Sequence, residues 1–303
     1  MPEQLRIGIL GAAWIADRAL IPAMLAARNA SPVAIASRDV DRARGMAGSH
    51  GIRAAHANYE SLLDDPSVDA VYIALVNSAH REWTLRALDA GKHVLCEKPL
   101  GVNAEETRDM ARAAQRAGRT LMEAFMYRFH PRMRALRESA GQVRSLHAAF
   151  SFPLPPANNY RWSAALGGGA LLDVGCYTLD VARWFLGEPD AVTAVMAGDE
   201  VDVSVAAALG FGSGAQATVW ASFAAPEHQV LELVGADGIE HVTQPFTAWR
   251  DPDDPYQLMV EEFAASVLEG RPPPRSLDDS IGTADLIDRV RAAASPVSAG
   301  AAR

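Results

Sequence analysis

Uniformly apolar runs alternate with helical segments through residues 1–124, and this alternation constrains the fold more than any other feature of the sequence. The runs Leu5–Leu10, Val33–Ala36 and Val68–Leu75 are too continuously apolar for strands with one solvated face. Strands of this kind are buried on both faces, as in a parallel sheet covered by helices. We therefore predict an α/β domain over residues 1–124, with a Rossmann-type doubly wound parallel sheet and right-handed crossovers.

From Val143 onward, strand-like segments follow one another with few helices between them. The stretch "VDVSVAAALGF" (Val201–Phe211) alternates large apolar residues with small ones, so its two faces differ. The large set is Val201, Val203, Val205, Ala207, Leu209 and Phe211, and the small set is Asp202, Ser204, Ala206, Ala208 and Gly210. The small face is either solvated or packed against a second copy of the chain. We predict an α+β domain over residues 125–303 with an open, mostly antiparallel sheet, whose last helices can pack back on the first domain.

Composition argues against several classes of function. A net charge of −9 without clustered Lys and Arg does not suit a nucleic-acid-binding protein. No apolar stretch approaches the ~20 residues of a membrane helix, and the N-terminus lacks signal-peptide architecture. The histidines show no metal-ligand spacing, so we predict no metal. Cys96 and Cys176 form no disulfide framework and are interpreted as small buried thiols. We expect a cytoplasmic protein with no nucleic-acid or membrane partner.

The first strand ends at a turn that resembles a dinucleotide-binding turn. Its pattern is Gly11-x-Ala13-x-x-Ala16, with alanine where the motif has its second glycine. An ordinary tight βα turn fits the residues too, but the position after the first strand favours the dinucleotide interpretation. We expect Gly11, Ala13, Trp14 and Ile15 to present bare backbone amides to a pyrophosphate at the helix start.

The end of the second strand, "IASRD", predicts which dinucleotide binds. Ser37 and Arg38 stand where NAD-specific turns carry an acidic residue for the ribose hydroxyls. Arginine suits bidentate binding of a 2′-phosphate, which favours NADP(H) over NAD(H). The alternative is that Arg38 is solvated and that Asp39, or a helix cap, governs the turn.

Polar residues follow two further strands at the edge where a doubly wound sheet binds its ligand. Asn77 and His80 follow one strand, and Lys98 follows the next. His80 is either a ligand contact or a helix-capping residue, and Glu97 is either structural or a partner of the cofactor amide. Pro99 is compatible with this position because the strand has ended, and a Lys-Pro bond can be cis.

The helical segment Gly168–Leu186 supplies a partner for Lys98. A helix there places Asp173, Tyr177, Asp180 and Trp184 on one face. A lone tyrosine is more often a packed, hydrogen-bonded core residue. A carboxylate and a phenol on one face, in a chain with a cofactor turn and a strand-end lysine, favour a catalytic role instead.

The sequence resembles the Gfo/Idh/MocA oxidoreductase family across essentially its whole length. The stretches that carry the resemblance are "GILGAAWIA", "VNSAH", "AGKHVLCEKPL", "EAFMYRFHP" and "GGGALLDVGCY". Within the family, the sequence looks like the branch of NADP-dependent xylose/glucose dehydrogenases and dihydrodiol dehydrogenases. The features that carry this are "EAFMYRFHP" and Tyr177, which stands where other branches have histidine. The resemblance implies that Lys98 and Tyr177 flank the reacting carbon with Asp173 assisting, and that Pro99 follows a cis bond.

Simple electrostatics explains why such a pair would work. A free phenol has a pKa near ~10 and is a poor base at neutral pH. A cation ~4 Å away, at an effective dielectric constant of ~20, favours the phenolate by ~4 kcal/mol, or about three pKa units. We expect Tyr177 to be the general acid/base and Lys98 the polarising cation.

The predicted activity is hydride transfer between NADP(H) and a sugar-like alcohol or carbonyl, as in aldose dehydrogenases. A keto-sugar reductase, a trans-dihydrodiol dehydrogenase and a non-catalytic NADP-binding regulatory protein are the alternatives. The candidate substrate contacts are Arg128, Tyr160, Arg161 and Trp162.

Compared with relatives, residues 238–255 look short, and "RPPPR" (Arg271–Arg275) is interpreted as a surface connector. We expect a homodimer or homotetramer formed through the C-terminal sheet.

Overall fold

The chain divides into two units, and neither is continuous in sequence. The computed structural model describes residues 4–155, 159–247, 250 and 252–297. The first unit comprises residues 1–101, 105–130 and 248–280, and the second comprises residues 102–104, 131–247 and 281–303. Each unit contains one sheet.

The first unit is built on a six-stranded sheet in which every neighbouring pair is parallel. The strand order is β3-β2-β1-β4-β5-β6, so the direction of strand addition reverses between β1 and β4. This is the Rossmann order, and the predicted doubly wound sheet is confirmed. The strands are β1 (Leu5–Leu10), β2 (Ala30–Ala36), β3 (Ala54–His56), β4 (Ala70–Ile73), β5 (His93–Glu97) and β6 (Leu121–Ala124).

The α-helices are short in the first half of the chain and longer near its end. Their bounds are α1 (Ile21–Ala26), α2 (Val40–His50), α3 (Tyr59–Leu63), α4 (His80–Asp89), α5 (Ala104–Ala117), α6 (Pro131–Ser139), α7 (Cys176–Leu186), α8 (Pro255–Glu269) and α9 (Leu277–Ala293). All of them except α6 are predicted by helical patterns in the sequence, which cover Ala12–Arg28, Asp39–Ser49, Tyr59–Asp64, Glu82–Ala90, Glu105–Ala117, Gly168–Leu186, Tyr256–Leu268 and Asp279–Ala294.

The segment Ala12–Arg28, which has helical character in the sequence, does not form one regular helix. A π-helical turn, Ala16–Leu20, precedes α1, and the N–H of Ile21 donates to the carbonyl of Ala16, five residues back. Pro22, at the start of α1, has no N–H to continue the regular ladder. The proline therefore accounts for the break between the π turn and α1.

The second unit contains a seven-stranded sheet of order β12-β11-β7-β10-β9-β8-β13. Four neighbouring pairs are antiparallel, whereas β10 with β7 and β13 with β8 are parallel. The predicted open, mostly antiparallel sheet is confirmed. Its strands are β7 (Val143–Ser151), β8 (Ala191–Ala197), β9 (Ser204–Gly210), β10 (Gln216–Ser222), β11 (His228–Gly235), β12 (Ile239–Thr243) and β13 (Ala294–Val297).

The two faces of β9 differ as the alternation predicts. Val205, Ala207 and Leu209 are buried, whereas Ala208 is exposed and Ala206 half-buried. Strand β12 was not predicted, because Ile239, Glu240 and His241 are all exposed and give no apolar pattern. It occupies part of the stretch 238–255 that looks short, where residues 248, 249 and 251 lie outside the described part of the chain.

Candidate functional site

Gly11 begins the turn after β1, at a position where a side chain would collide with neighbouring backbone. Its φ is +105°, and its N–H donates to the carbonyl of Ala36 over 2.9 Å. A Cβ there would collide with the carbonyl oxygen of Ala74 and lie 2.9 Å from Leu75 Cδ2. The turn thus brings bare backbone to the carboxyl edge of the sheet between β1 and β4, as a pyrophosphate-binding turn requires. Trp14, next to the turn, is 70% exposed.

Of the residues that follow β2, one caps the next helix and another is exposed to solvent. The Asp39 carboxylate accepts from the N–H groups of Asp41 and Arg42, each over 3.1 Å, and so caps α2. The Ser37 hydroxyl accepts from the N–H of Asp39. Arg38 is exposed between them. An exposed Arg38 beside a capping Asp39 is what the alternative interpretation of the sequence describes, and binding of a 2′-phosphate by Arg38 stays a prediction.

Arg38→Ala is expected to raise the KM for NADP⁺ about 10-fold or more while changing the KM for NAD⁺ little. The reason is that a charged hydrogen bond to a 2′-phosphate contributes about 1.5–3 kcal/mol, and NAD⁺ has no such phosphate. Steady-state kinetics with both cofactors measures the difference. Arg44→Ala, which removes an exposed arginine paired with Asp41 on the same helix, is the matched control. Equal effects on the two cofactors would contradict the assignment of Arg38.

Lys98 directly follows β5, and the predicted cis Lys98–Pro99 bond is confirmed. Its neighbour Glu97 accepts a hydrogen bond of 2.6 Å from the hydroxyl of Tyr72, a fully buried residue of β4. Burial, together with the Glu97 charge, raises the pKa of Tyr72 well above its usual value. The Tyr72 hydroxyl therefore remains a donor, and it fixes the carboxylate beside Lys98.

A second tyrosine, Tyr256 of α8, lies close enough to Glu97 and Lys98 for both charges to act on its phenol. Burial and the Glu97 charge raise the pKa of Tyr256, and the Lys98 charge lowers it in part. Tyr256 is therefore a neutral hydroxyl near Lys98, contributed by the end of the chain.

His80 is fully buried and joins the segments that follow β4 and β5. Its Nδ1 lies 2.8 Å from the carbonyl oxygen of Pro99, and its Nε2 lies 3.1 Å from that of Leu75. Burial lowers the pKa of His80, and a neutral imidazole has one N–H to donate. Asn77, in the 3₁₀ turn Asn77–Ala79, is 3% exposed. Contacts of Asn77 and His80 with a cofactor stay predictions.

Tyr177 lies in the second unit, near the start of α7, within an aromatic cluster. Its ring centroid is 5.6 Å from that of Phe150 on β7 and 5.5 Å from that of Phe246. Phe150 and Phe246 stack on each other at 5.5 Å. The ring is 7% exposed. Packing on two aromatic neighbours restricts the orientation of the phenol.

Asp173 is held by an arginine that the sequence predicts as a substrate contact. Arg161 Nε donates to Asp173 Oδ2 over 2.6 Å, and Asp173 is 4% exposed. Although burial opposes it, the charge of Asp173 raises the pKa of Arg161, with smaller contributions from Tyr160 and Tyr177. The second unit thus brings together Tyr160, Arg161, Asp173 and Tyr177. Asp173 belongs to a π-helical turn, Leu171–Gly175, which precedes α7.

The other candidate substrate contacts have structural partners. Arg128 is 8% exposed, and its Nη1 lies 3.6 Å from Asp279 Oδ2 within the first unit. In the second unit, Trp162 Nε1 donates to the carbonyl of Pro155 over 2.9 Å, and its ring packs edge-on against Phe223. These contacts orient the side chains, and substrate contact stays a prediction.

The carboxylate of Asp202 contacts the backbone at the start of the π turn that carries Asp173. Asp202 Oδ2 accepts from the N–H of Leu171 over 2.5 Å. Gly169 has a φ of +107°, and a Cβ there would collide with Asp202 Oδ1. Burial raises the pKa of Asp202 to about 6, although the Leu171 N–H and Arg291 act in the opposite direction.

Asp202→Asn is expected to remove a pH dependence of stability. Between pH 4 and 6 the folded chain holds a proton that the unfolded chain releases, so the wild-type free energy of unfolding falls as the pH rises. The shift of the Asp202 pKa from 3.8 to about 6 corresponds to up to about 3 kcal/mol. Urea denaturation should therefore show the variant gaining up to that amount over the wild type between pH 4 and pH 7. Parallel pH profiles would contradict a raised Asp202 pKa.

Sequence reasoning missed Tyr72, Tyr256, Phe150 and Phe246. Tyr72 had one signal, because a tyrosine inside a buried strand needs a partner for its hydroxyl. The other three come from distant parts of the chain, and no local spacing indicates them.

Within the described ranges, no helix is long and apolar enough to cross a membrane. The same residues contain no cluster of three or more His, Cys, Asp or Glu arranged to hold a metal ion. Cys96 and Cys176 are both buried free thiols, as predicted.

Both halves of the chain match models of a known protein family. Residues 5–125 match the family model described as "Oxidoreductase family, NAD-binding Rossmann fold", and residues 133–239 match the "GFO/IDH/MocA C-terminal domain". The D-xylose 1-dehydrogenase (NADP(+)) 2 of Haloferax volcanii is 40% identical over 310 residues, covering 93% of this chain and 95% of that protein. The resemblance stated from the sequence motifs is confirmed.

Two further relatives extend the comparison. Trans-1,2-dihydrobenzene-1,2-diol dehydrogenase of Sus scrofa is 35% identical over 252 residues, covering 80% of this chain and 75% of that protein. The crystal structure of KijD10, a 3-ketoreductase from Actinomadura kijaniata in complex with NADP and TDP-benzene, superimposes with a TM-score of 0.86 at 32% identity. It covers 98% of this chain and 100% of that one. The names of the xylose dehydrogenase and of the KijD10 complex both include NADP, which agrees with the prediction of NADP(H).

Proposed function

The chain belongs to the Gfo/Idh/MocA family of oxidoreductases, and from that premise we propose that it transfers a hydride between NADP(H) and a sugar-like alcohol or carbonyl. The observation that carries the proposal is the joint presence of Lys98 and Tyr177 at the family's motif positions, in a chain that matches an NADP-dependent xylose dehydrogenase over nearly its full length. An aldose oxidised at its anomeric carbon is the favoured substrate.

The residues around the first sheet fit NADP(H). Gly11 leaves a backbone cradle that a Cβ would fill, and Arg38 is exposed where the 2′-phosphate of the adenosine ribose would lie. Gly11, Ala13, Trp14 and Ile15 would hold the pyrophosphate. Ser37 and Arg38 would hold the adenosine ribose phosphate, and Asn77, His80 and the Glu97–Lys98 pair would lie at the nicotinamide end.

In this proposal the chain's own residues handle the proton. The bound cofactor supplies or accepts the hydride. Tyr177 takes the hydroxyl proton of the substrate during oxidation and returns a proton to the carbonyl oxygen during reduction. Lys98 polarises the substrate oxygen and keeps the Tyr177 pKa near neutrality. Asp173, held by Arg161, assists by orienting the groups around Tyr177.

An initial-rate screen tests the proposal. NADP⁺ and NAD⁺ are each offered with aldoses, inositols and trans-dihydrodiols, and NADPH is offered with keto-sugars. Oxidation of at least one aldose with NADP⁺ is expected. Tight NADPH binding without turnover of any compound would instead favour a non-catalytic regulatory protein.

Reduction of a keto-sugar is the second candidate, because KijD10, a 3-ketoreductase, shares the fold of this chain over its whole length. Oxidation of a trans-dihydrodiol is a third, by similarity to the porcine enzyme. The screen separates the three, since each outcome has a different best substrate.

We also propose a homodimer or homotetramer formed through the exposed face of the second sheet. Ala208, Thr193 and Thr218 lie in register on that face and are all exposed and small, as a flat self-packing surface needs. Sedimentation analysis measures the assembly.

Two buried free cysteines are consistent with a reducing, cytoplasmic location.

A further inference from the structure

One peptide unit, the Pro99–Leu100 peptide, contacts a buried side chain at each of its two ends. Its carbonyl oxygen lies 2.8 Å from Nδ1 of His80, which is 0% exposed. Its N–H donates to Oε1 of Glu123 over 2.8 Å. His80 begins α4 and Glu123 lies on β6, so two different elements hold the same peptide.

Glu123 is itself fixed by Arg275, from the connector that precedes α9. Arg275 Nε and Nη2 donate to Glu123 Oε2 over 3.0 and 2.7 Å. The arginine is 1% exposed, and its Cζ lies 4.3 Å above the Phe125 ring. The interpretation of Arg271–Arg275 as a surface connector is therefore wrong for its last residue. Pro272 and Pro274 are exposed, but Arg275 points inward because Glu123 needs a buried counter-ion.

Stability alone does not explain this pair. Two buried charges lose their hydration, and well-packed apolar residues of similar volume are often as stable or more stable in their place. What an apolar pair cannot do is accept the Leu100 N–H. Glu123 uses one oxygen for Arg275 and the other for Leu100, so the arginine sets the position of the acceptor.

The held peptide is the one that follows Lys98–Pro99. The pyrrolidine ring fixes φ at Pro99, which leaves few backbone torsions between the held peptide and the lysine. A displacement of about 1 Å in a catalytic group can lower the rate by about 100-fold.

We propose that Arg275 is a positioning residue for Lys98, acting through Glu123 and the Leu100 N–H. This inference rests on the proposed role of Lys98 in the reaction. It assigns to a side chain in the last tenth of the sequence a part in holding the lysine that follows β5.

Two double variants test the inference. In Glu123→Met/Arg275→Met the ion pair is replaced by apolar side chains and the Leu100 N–H loses its acceptor. In Glu123→Gln/Arg275→Met the charges are also gone, but the Gln carbonyl oxygen can still accept from Leu100. Each double variant leaves a buried donor unsatisfied, the Leu100 N–H in the methionine pair and the glutamine NH₂ in the glutamine pair. Urea denaturation of both variants ranks their stabilities, and a merely structural role predicts that kcat follows that ranking and not the presence of an acceptor for Leu100.

The first readout needs no ligand. Amide hydrogen exchange at Leu100 is expected to be at least 10-fold faster in the methionine pair than in the glutamine pair, with exchange in β1 and β4 unchanged. The second readout is kcat with NADP⁺ and the fastest aldose of the screen. It should be about 10- to 100-fold lower in the methionine pair, with the affinity for NADPH retained.

Lys98→Met in both backgrounds separates this inference from the proposed function. If Arg275 acts through Lys98, the two double variants have equal residual kcat once the lysine is gone. Equal Leu100 exchange or equal kcat in the two pairs, while Lys98→Met alone lowers kcat, overturns the role of Arg275 and leaves that of Lys98 standing. Wild-type kcat in Lys98→Met overturns the proposed role of the lysine.

Discussion

Tyr177→Phe is expected to lower kcat by about 10²- to 10⁴-fold, the usual contribution of a positioned general acid or base. The substitution removes only the hydroxyl, and the ring keeps its packing on Phe150 and Phe246. The fold and the affinity for NADPH should therefore be preserved. Because proton transfer occurs in the transition state, kcat and kcat/KM should fall together while KM changes little.

The matched control for this variant is Tyr127→Phe. Tyr127 is another buried tyrosine, 1% exposed, and it has no role in the proposed reaction. Its loss of a hydroxyl reports the cost of removing a buried phenol oxygen as such. Wild-type turnover in Tyr177→Phe would contradict the role proposed for Tyr177.

Lys98→Met is expected to move the pH profile of oxidation to higher pH and to lower the rate at neutral pH. In the proposed mechanism oxidation needs Tyr177 deprotonated, so kcat/KM is expected to rise with pH until the Tyr177 pKa is reached. A cation ~4 Å away at an effective dielectric constant of ~20 stabilises the phenolate by ~4 kcal/mol. Losing it should shift the rising limb upward by up to about three pH units and lower kcat/KM at pH 7 by up to about 10³-fold.

The sequence offers one other lysine as a control. Lys92 stands before β5, where its Nζ donates to the carbonyls of Asp65 and Val68 over 2.9 and 2.7 Å. Lys92→Met removes the same charge from the opposite end of the same strand. It should leave the rising limb in place, and an equal shift in both variants would mean that the effect of Lys98 is not local.

The first sheet could be predicted because its signals are local. Buried parallel strands are continuously apolar, and glycine is required where a Cβ would meet Ala74, so β1, β4 and Gly11 are evident from the sequence. The strands that escaped prediction, β3, β12 and β13, are three, five and four residues long and are mostly half-buried or exposed. Such strands form because a neighbouring strand provides partners for their backbone hydrogen bonds. Their own residues show no apolar pattern that would predict them.

The same distinction applies to the candidate site. Lys98, Asp173 and Tyr177 stand in motifs with recognisable neighbours, so spacing and family resemblance indicate them. Arg275 follows three prolines and looks solvated, because its partner Glu123 lies 152 residues earlier. Whether an arginine is buried depends on that distant carboxylate, and a window of sequence around Arg275 carries no trace of it.

The discontinuity of the first unit has a consequence for the order in which the chain is made. All six strands of its sheet are complete by Ala124, yet residues 248–280 belong to the same unit. During synthesis Glu123 cannot pair with Arg275 until residue 275 has been translated. In the same way, Tyr72 and Glu97 have no contact with Tyr256 until most of the chain has been made. The strands of the Rossmann sheet are thus translated first, but Glu123 gains its buried counter-ion only after residue 275 has been synthesised.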